Sequence, residues 1–142
     1  MSPDPATNVL TRLHRAFNER DAETARGLLA DDVVWHVSGD HPVAGTYRGR
    51  DQVWEHYVAR FWPTPAHLVD HAALSHPDHR LVAVLHEVVH DFGDGEIRLG
   101  GIEVARTADG QITERWEYGE DQALVDRIIT EAAERRRQST RR

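Results

Sequence analysis

The sequence predicts an α+β fold, because its helical and extended segments fall into separate blocks instead of alternating. Two patterns carry this reading. Apolar residues recur at helical spacing within the first 62 residues and again after residue 121, whereas residues 66–119 hold four successive Val-, Ile- and Leu-rich runs. The turns between those runs, DHR, FGDG and ADG, are short enough for an antiparallel meander.

The first helix rests on Val9, Leu10, Leu13, Ala16 and Phe17, which follow Thr7 or Asn8 as N-cap. NERD (18–21) interrupts it, and DAETARGLLA (21–30) restarts with Asp21 as cap and Ala25, Leu28 and Leu29 inward. DDVVWHV (31–37) reads as a strand and SGDHPVAG (38–45) as a Gly/Pro loop. In the third helix, about 50–62, Val53, Trp54, Tyr57, Val58, Phe61 and Trp62 form one stripe, and Pro63 ends it. Strands are expected at about 66–75, 80–91, 96–107 and 111–119, with a bulge at Gly100–Gly101 that curves the sheet. A last helix from about 121 turns Leu124, Val125, Ile128, Ile129 and Ala132 inward. No repeat or internal boundary is visible, so residues 1–134 are expected to form one domain and the Arg-rich 135–142 a disordered tail.

At 142 residues and 39% hydrophobic content, one domain can enclose a real core. There is no cysteine, which excludes disulfides, thiolate chemistry and Cys-type zinc sites. All 17 basic residues are arginine, so no lysine can form a Schiff base. A formal charge of −7 argues against nucleic acid as a partner, since binding there rests on neutralising phosphates. MSPDPATNVL contains no apolar run of signal-peptide length, and no segment approaches membrane-spanning length. A cytoplasmic protein with no membrane partner is the expectation.

Residues 86–90, HEVVH, match the zinc-protease pattern H-E-x-x-H, which needs a helix to bring both histidines to one metal. Here the neighbours are Val-rich and lead into a hairpin-type Asp94–Gly95, so the segment reads as strand. On a strand His86 and His90 share a face but stand roughly 13 Å apart, too far for one zinc. Neither a metal nor another cofactor is expected.

Three stretches, NERDAETARGLLADDVVWHV, GTYRGRDQVWEHY and DGQITERWEYGED, occur in an order that resembles the nuclear transport factor 2-like superfamily, in its SnoaL-like polyketide cyclase and ketosteroid isomerase branch. The resemblance covers about residues 6–130. It implies a cone, in which a curved, mainly antiparallel sheet wraps around N-terminal helices, with a C-terminal helix and a pocket open at one end. It also implies a homodimer. Isomerases, cyclases, epoxide hydrolases, dehydratases and binding proteins share this fold, so fold alone does not decide function. The Tyr and Asp of ketosteroid isomerases fall on Leu13 and Val37, which lack that chemistry. The Arg-x-Asp pair of limonene epoxide hydrolases falls on Val88 and His90, their last-strand Asp on Glu117 and their first-strand Asn on His36. The acid that follows the last-strand Trp in SnoaL-like cyclases is matched nearest by Glu120 or Asp121.

Acid/base chemistry in such a pocket needs a proton acceptor near neutral pKa and an apolar wall that excludes water. Histidine suits the role. His36 is the first candidate, being polar, next to Trp35 and at the end of the first strand. Trp35 and His36 must point to opposite faces, and the resemblance favours His36 inward. His86 and His90 share an otherwise apolar strand face with Val82, Val84 and Val88, which suits a pocket wall or a dimer face. Glu117 shares a face with Thr113 and Arg115, as a carboxylate that orients an imidazole or as one half of a surface ion pair. Glu103 enters the cavity only if the Gly-Gly bulge aims it there, and His14 reads as a residue at the edge of the helix stripe. His41, His67, His71, His76 and His79 read as solvated, and Asp51 as a helix-dipole partner. Trp35, Trp54, Tyr57, Val88 and Trp116 are the expected wall.

The expected function is cofactor-independent acid/base catalysis, of isomerase, cyclase or epoxide-hydrolase type, on a small apolar oxygenated molecule. His36, His86 and His90 would move protons, with Glu117 orienting one of them. The alternative is a non-catalytic ligand-binding or dimerisation module with the same pocket.

Overall fold

The computed structural model describes residues 8–61, 66–91 and 93–140. Helix α1 (Val9–Asn18) starts at Asn8, whose side-chain oxygen accepts from the backbone N–H groups of Leu10 and Thr11. Helix α2 (Ala22–Gly27) starts at Asp21, which caps Thr24. Strand β1 (Leu29–Val37) follows, begun two residues earlier than the charge pattern suggests because Leu29 pairs with Ile112. The segment read as loop then continues into a short strand, β2 (Gly45–Arg48), paired antiparallel to β1.

The third helical segment is not one α-helix. It runs as α3 (Arg50–Val53), a π-helical turn (Trp54–Val58) and α4 (Ala59–Phe61). Trp62 and Pro63 lie outside the described residues. The meander comprises β3 (Ala66–Ser75), β4 (Leu81–Asp91), β5 (Glu96–Ala108) and β6 (Gln111–Gly119). Asp109 and Gly110 both have positive φ, the type I′ geometry that joins two strands with the right twist. HEVVH lies inside β4. Helix α5 (Gln122–Thr140) extends past residue 134, where the sequence reading ended the folded domain.

The six strands form one sheet in the order β2-β1-β6-β5-β4-β3, antiparallel except that β1 and β6 run parallel. Register shifts fall at His71 in β3, between Arg106 and Thr107 in β5, and in β1 between Leu29 and Val34. The pairing runs without a shift through Gly100–Gly101, so the expected bulge is absent there. Those glycines serve close approach instead. A Cβ on Gly101 would stand 2.6 Å from the Tyr118 carbonyl oxygen, and one on Gly100 2.5 Å from a Glu120 carboxylate oxygen. One face of the sheet closes over α1 and the α3 segment around Leu10, Leu29, Val33, Val53, Val84 and Ile112. Among the described residues, no helix is long and apolar enough to cross a membrane.

Candidate functional site

The inner face of the sheet does not fill completely. Past the packed end of the core it leaves a cavity of about 140 Å3, bounded by α1, α2, the π-turn, β1, β3, β4, β5, β6 and the first half of α5. Period-two alternation selects which strand residues line it. On β4 these are His86, Val88 and His90; on β5, Leu99, Gly101 and Glu103, with Gly100 beside them; on β6, Arg115, Glu117 and Gly119. Trp54, Tyr57 and Val58 enter from the π-turn and Trp35 and Val37 from β1. The wall is mainly apolar with a few convergent polar groups, the usual form of a small-molecule site.

His36 does not reach this space. Trp35 is the bulkier neighbour and takes the inner face at 3% exposure, which turns His36 to the outer side. There His36 Nε2 lies 2.7 Å from Glu114, its Nδ1 lies 3.1 Å from the Thr46 hydroxyl, and its ring stacks on Trp116. Trp116 therefore leaves the expected wall as well, and Arg106 covers it. His86, His90, Glu117, Trp35, Trp54, Tyr57 and Val88 line the cavity. Glu120 and Asp121 are exposed and outside the lining. His41, expected in solvent, lines the rim, where its Nε2–H donates to the Ser38 carbonyl at 3.0 Å. Asp51 pairs with Arg26 at 2.7 Å.

The deepest part of the site was not foreseen. His14 projects from α1 between two carboxylates. Its Nδ1–H donates to Asp70 at 2.6 Å and its Nε2–H to Glu103. Glu103 also accepts from Arg115 Nε, and the same guanidinium donates to Glu117 and to the His36 carbonyl. Asp70, His14, Glu103, Arg115 and Glu117 thus form one chain of alternating charge, buried through its three central members. The guanidinium lies 4.2 Å from the Trp35 ring centroid.

Electrostatics follow from this arrangement. Burial alone would push the His14 imidazolium down, but Glu103 and Asp70 more than reverse it and lift its pKa to about 9. Burial would raise the Glu103 carboxyl, yet Arg115 and His14 hold it well below the usual carboxylate range. His86, 4% exposed, is pushed down by burial, with Glu103 opposing and His14 and Arg115 assisting. His90 is lowered by burial as well. Burial raises the Tyr57 phenol despite the nearby Arg115. At neutral pH the site therefore holds a charged His14 beside a neutral His86, ring centroids 5.3 Å apart. Neither nitrogen of His86 has a hydrogen-bond partner, and neither does the Trp35 indole N–H. Among the described residues, no group of three or more His, Asp or Glu is arranged to hold a metal ion.

A curved six-stranded sheet closed over a helical inner layer, with a C-terminal helix, is the nuclear transport factor 2-like fold. Residues 10–115 match the SnoaL-like domain, and the chain belongs to that family. Among solved structures it is similar to Bal32a from a soil-derived mobile gene cassette, at 22% identity and TM-score 0.78, covering 87% of this chain and 97% of the other. It is also similar to a nuclear transport factor 2-like protein of unknown function from Burkholderia pseudomallei, at 20% identity and TM-score 0.75, covering 90% and 99%. TerC, co-crystallised with polyporic acid, aligns at 15% identity and TM-score 0.72, covering 90% and 99%. No curated protein sequence matches the chain.

Proposed function

We propose that this protein is a cofactor-independent enzyme that moves protons on a small, mainly apolar, oxygenated molecule held in the cavity. The observation that carries the reading is the neutral His86, buried without a hydrogen-bond partner against the charged His14–Glu103–Arg115 chain. A purely structural interior gains little from buried ions, because desolvation offsets most of their attraction. Such a chain beside a lone imidazole suits chemistry instead. His86 acts as proton acceptor, and the Glu103 charge stabilises the imidazolium that forms. The Tyr57 phenol, kept protonated by its raised pKa, is placed to donate to a substrate oxygen as charge develops on it. Glu117, fixed by Arg115, orients the substrate, and His90 is the second imidazole. Trp35, Trp54 and Val88 exclude water. Proton abstraction next to a carbonyl, leading to isomerisation or cyclisation, fits these roles best.

The test is exchange of α-protons for deuterium in a panel of small cyclic ketones, followed by NMR. Wild type is expected to accelerate exchange, and His86→Ala to lose on the order of 10²–10⁴ of that rate. Because the base form of His86 is the active one and its pKa is lowered, the rate should fall only as pH drops below the ordinary histidine range. A folded His86→Ala protein with undiminished exchange would refute the assignment. Binding of the ketones without exchange would favour a non-catalytic ligand-binding module, a reading supported by how completely Glu103 and Arg115 are engaged with each other. We also propose a homodimer formed through the outer face of the sheet.

A further inference from the structure

The ion chain at the cavity floor does not balance. Asp70, His14, Glu103, Arg115 and Glu117 alternate in sign but begin and end in a carboxylate, so three acids face two cations. Both cations are consumed internally. His14 spends its two N–H donors on Asp70 and Glu103, and Arg115 spans Glu103 and Glu117. Of the two terminal acids, Glu117 is the one that lines the cavity, with its side chain 28% exposed. Among the described residues, no other arginine lines the space, and the chain has no lysine.

Among the described residues, nothing at the mouth restores the balance. His41 is held neutral there, its Nε2–H given to Ser38 and its Nδ1 accepting from the Val43 N–H. The first turn of α5 could attract an anion, but Asp121 already accepts from the Leu124 N–H. Glu120 and Asp126 add two more acids beside Gly100 and Gly39. Beside the floor, His86 presents a buried imidazole with no hydrogen-bond partner, an acceptor for a ligand donor. In a water-poor cavity a like charge is penalised strongly and an opposite one is drawn in.

We propose that the cavity filters ligands by charge, taking uncharged and ammonium-bearing molecules through Glu117 and rejecting carboxylates and phosphate esters of the same shape. This rests on the reading of the cavity as a small-molecule site and narrows its substrate class to apolar molecules without an anionic group. The natural substrate then has its oxygen as carbonyl, hydroxyl or ether.

The experiment uses the full chain and three probes of one shape, 2-naphthylmethylamine, 2-naphthalenemethanol and 2-naphthoate, with calorimetric titration at pH 7. The amine and the alcohol are expected to bind roughly tenfold or more tighter than the carboxylate. Glu117→Gln, which keeps the shape and leaves the Arg115–Glu103 pair in place, should bring the amine-to-carboxylate ratio close to one. Carboxylate binding as tight as that of the alcohol would overturn the proposal, as would an unchanged ratio in Glu117→Gln or the failure of all three probes to bind. Catalysis is read separately. The expected ranking without ketone exchange leaves the filter standing and removes the enzyme, and exchange on ketones and keto-carboxylates alike does the reverse.

Discussion

His14 stands between two carboxylates, so its charge belongs to the folded state. Its pKa rises from 6.5 to about 9 on folding, and a raised pKa contributes stability that is complete below 6.5 and lost as pH climbs through 9. Chemical unfolding of wild type should therefore show a loss of about 2 kcal/mol between pH 7.5 and pH 9.5, a window above the titration of the lowered His86 and His90. His14→Gln should be less stable at pH 6 and nearly flat over the same range; an equally steep decline in that variant would place the titration elsewhere. The sequence held half of this. Positions 10, 13, 14 and 17 share one helix face, so a histidine on the buried stripe was legible as a polar residue in an apolar place. Glu103 gave no such sign, because its neighbours Ile102 and Val104 point to the other face and the flanking residues on its own face are the small Gly101 and Ala105. Their partnership was not legible, because it joins residues 89 positions apart. For His36 the pleat allowed two faces, and the inward demand of Trp35 decided against it.

At the scale of elements, β3 to β6 could be read almost to the residue, since Val- and Ile-rich runs bounded by Gly and Asp specify strands and turns locally. Strand β2 and the π-turn could not. GTYR is too short to show a period, and WEHYV keeps an apolar spacing that fits α as well as π. Helix α1 carries a further test. The Asn8 cap is itself buried, and its side-chain amide donates to the carbonyls of Leu74 and Ala83, at 3.3 and 3.4 Å. Asn8→Asp keeps the capping oxygen but loses both donors and sets a charge against two carbonyls. We expect it to cost about 1–3 kcal/mol in urea unfolding, more than an exposed cap exchange would. A neutral result would mean that the cap alone matters.

For the whole molecule, the outer sheet face is the feature that motivates the proposed dimer. Ala72, Leu85, Ile102 and Tyr118 lie side by side across four strands, and Leu74, Ala83, Val104 and Trp116 form the next row. Leu74 and Tyr118 are more than half exposed, and a contiguous apolar patch of this kind is unusual on a monomer. A second copy applied through a two-fold axis would cover both rows. Sedimentation should give twice the 16.1 kDa chain mass for wild type and the single mass for Leu85→Arg, whose exposed position leaves the fold intact. A wild type that stays monomeric at high concentration would end this idea. The parallel pairing of β1 with β6 has another consequence, in time instead of space. Leu29 meets Ile112 and Val37 meets Glu117, so a strand made early waits for nearly the last one made. The β3–β5 hairpins can close while synthesis continues, but the sheet's centre cannot, and pairing between such distant segments is slow. A nascent chain stopped before β6 therefore keeps its inner apolar face uncovered, and that interval is when it is most exposed to aggregation.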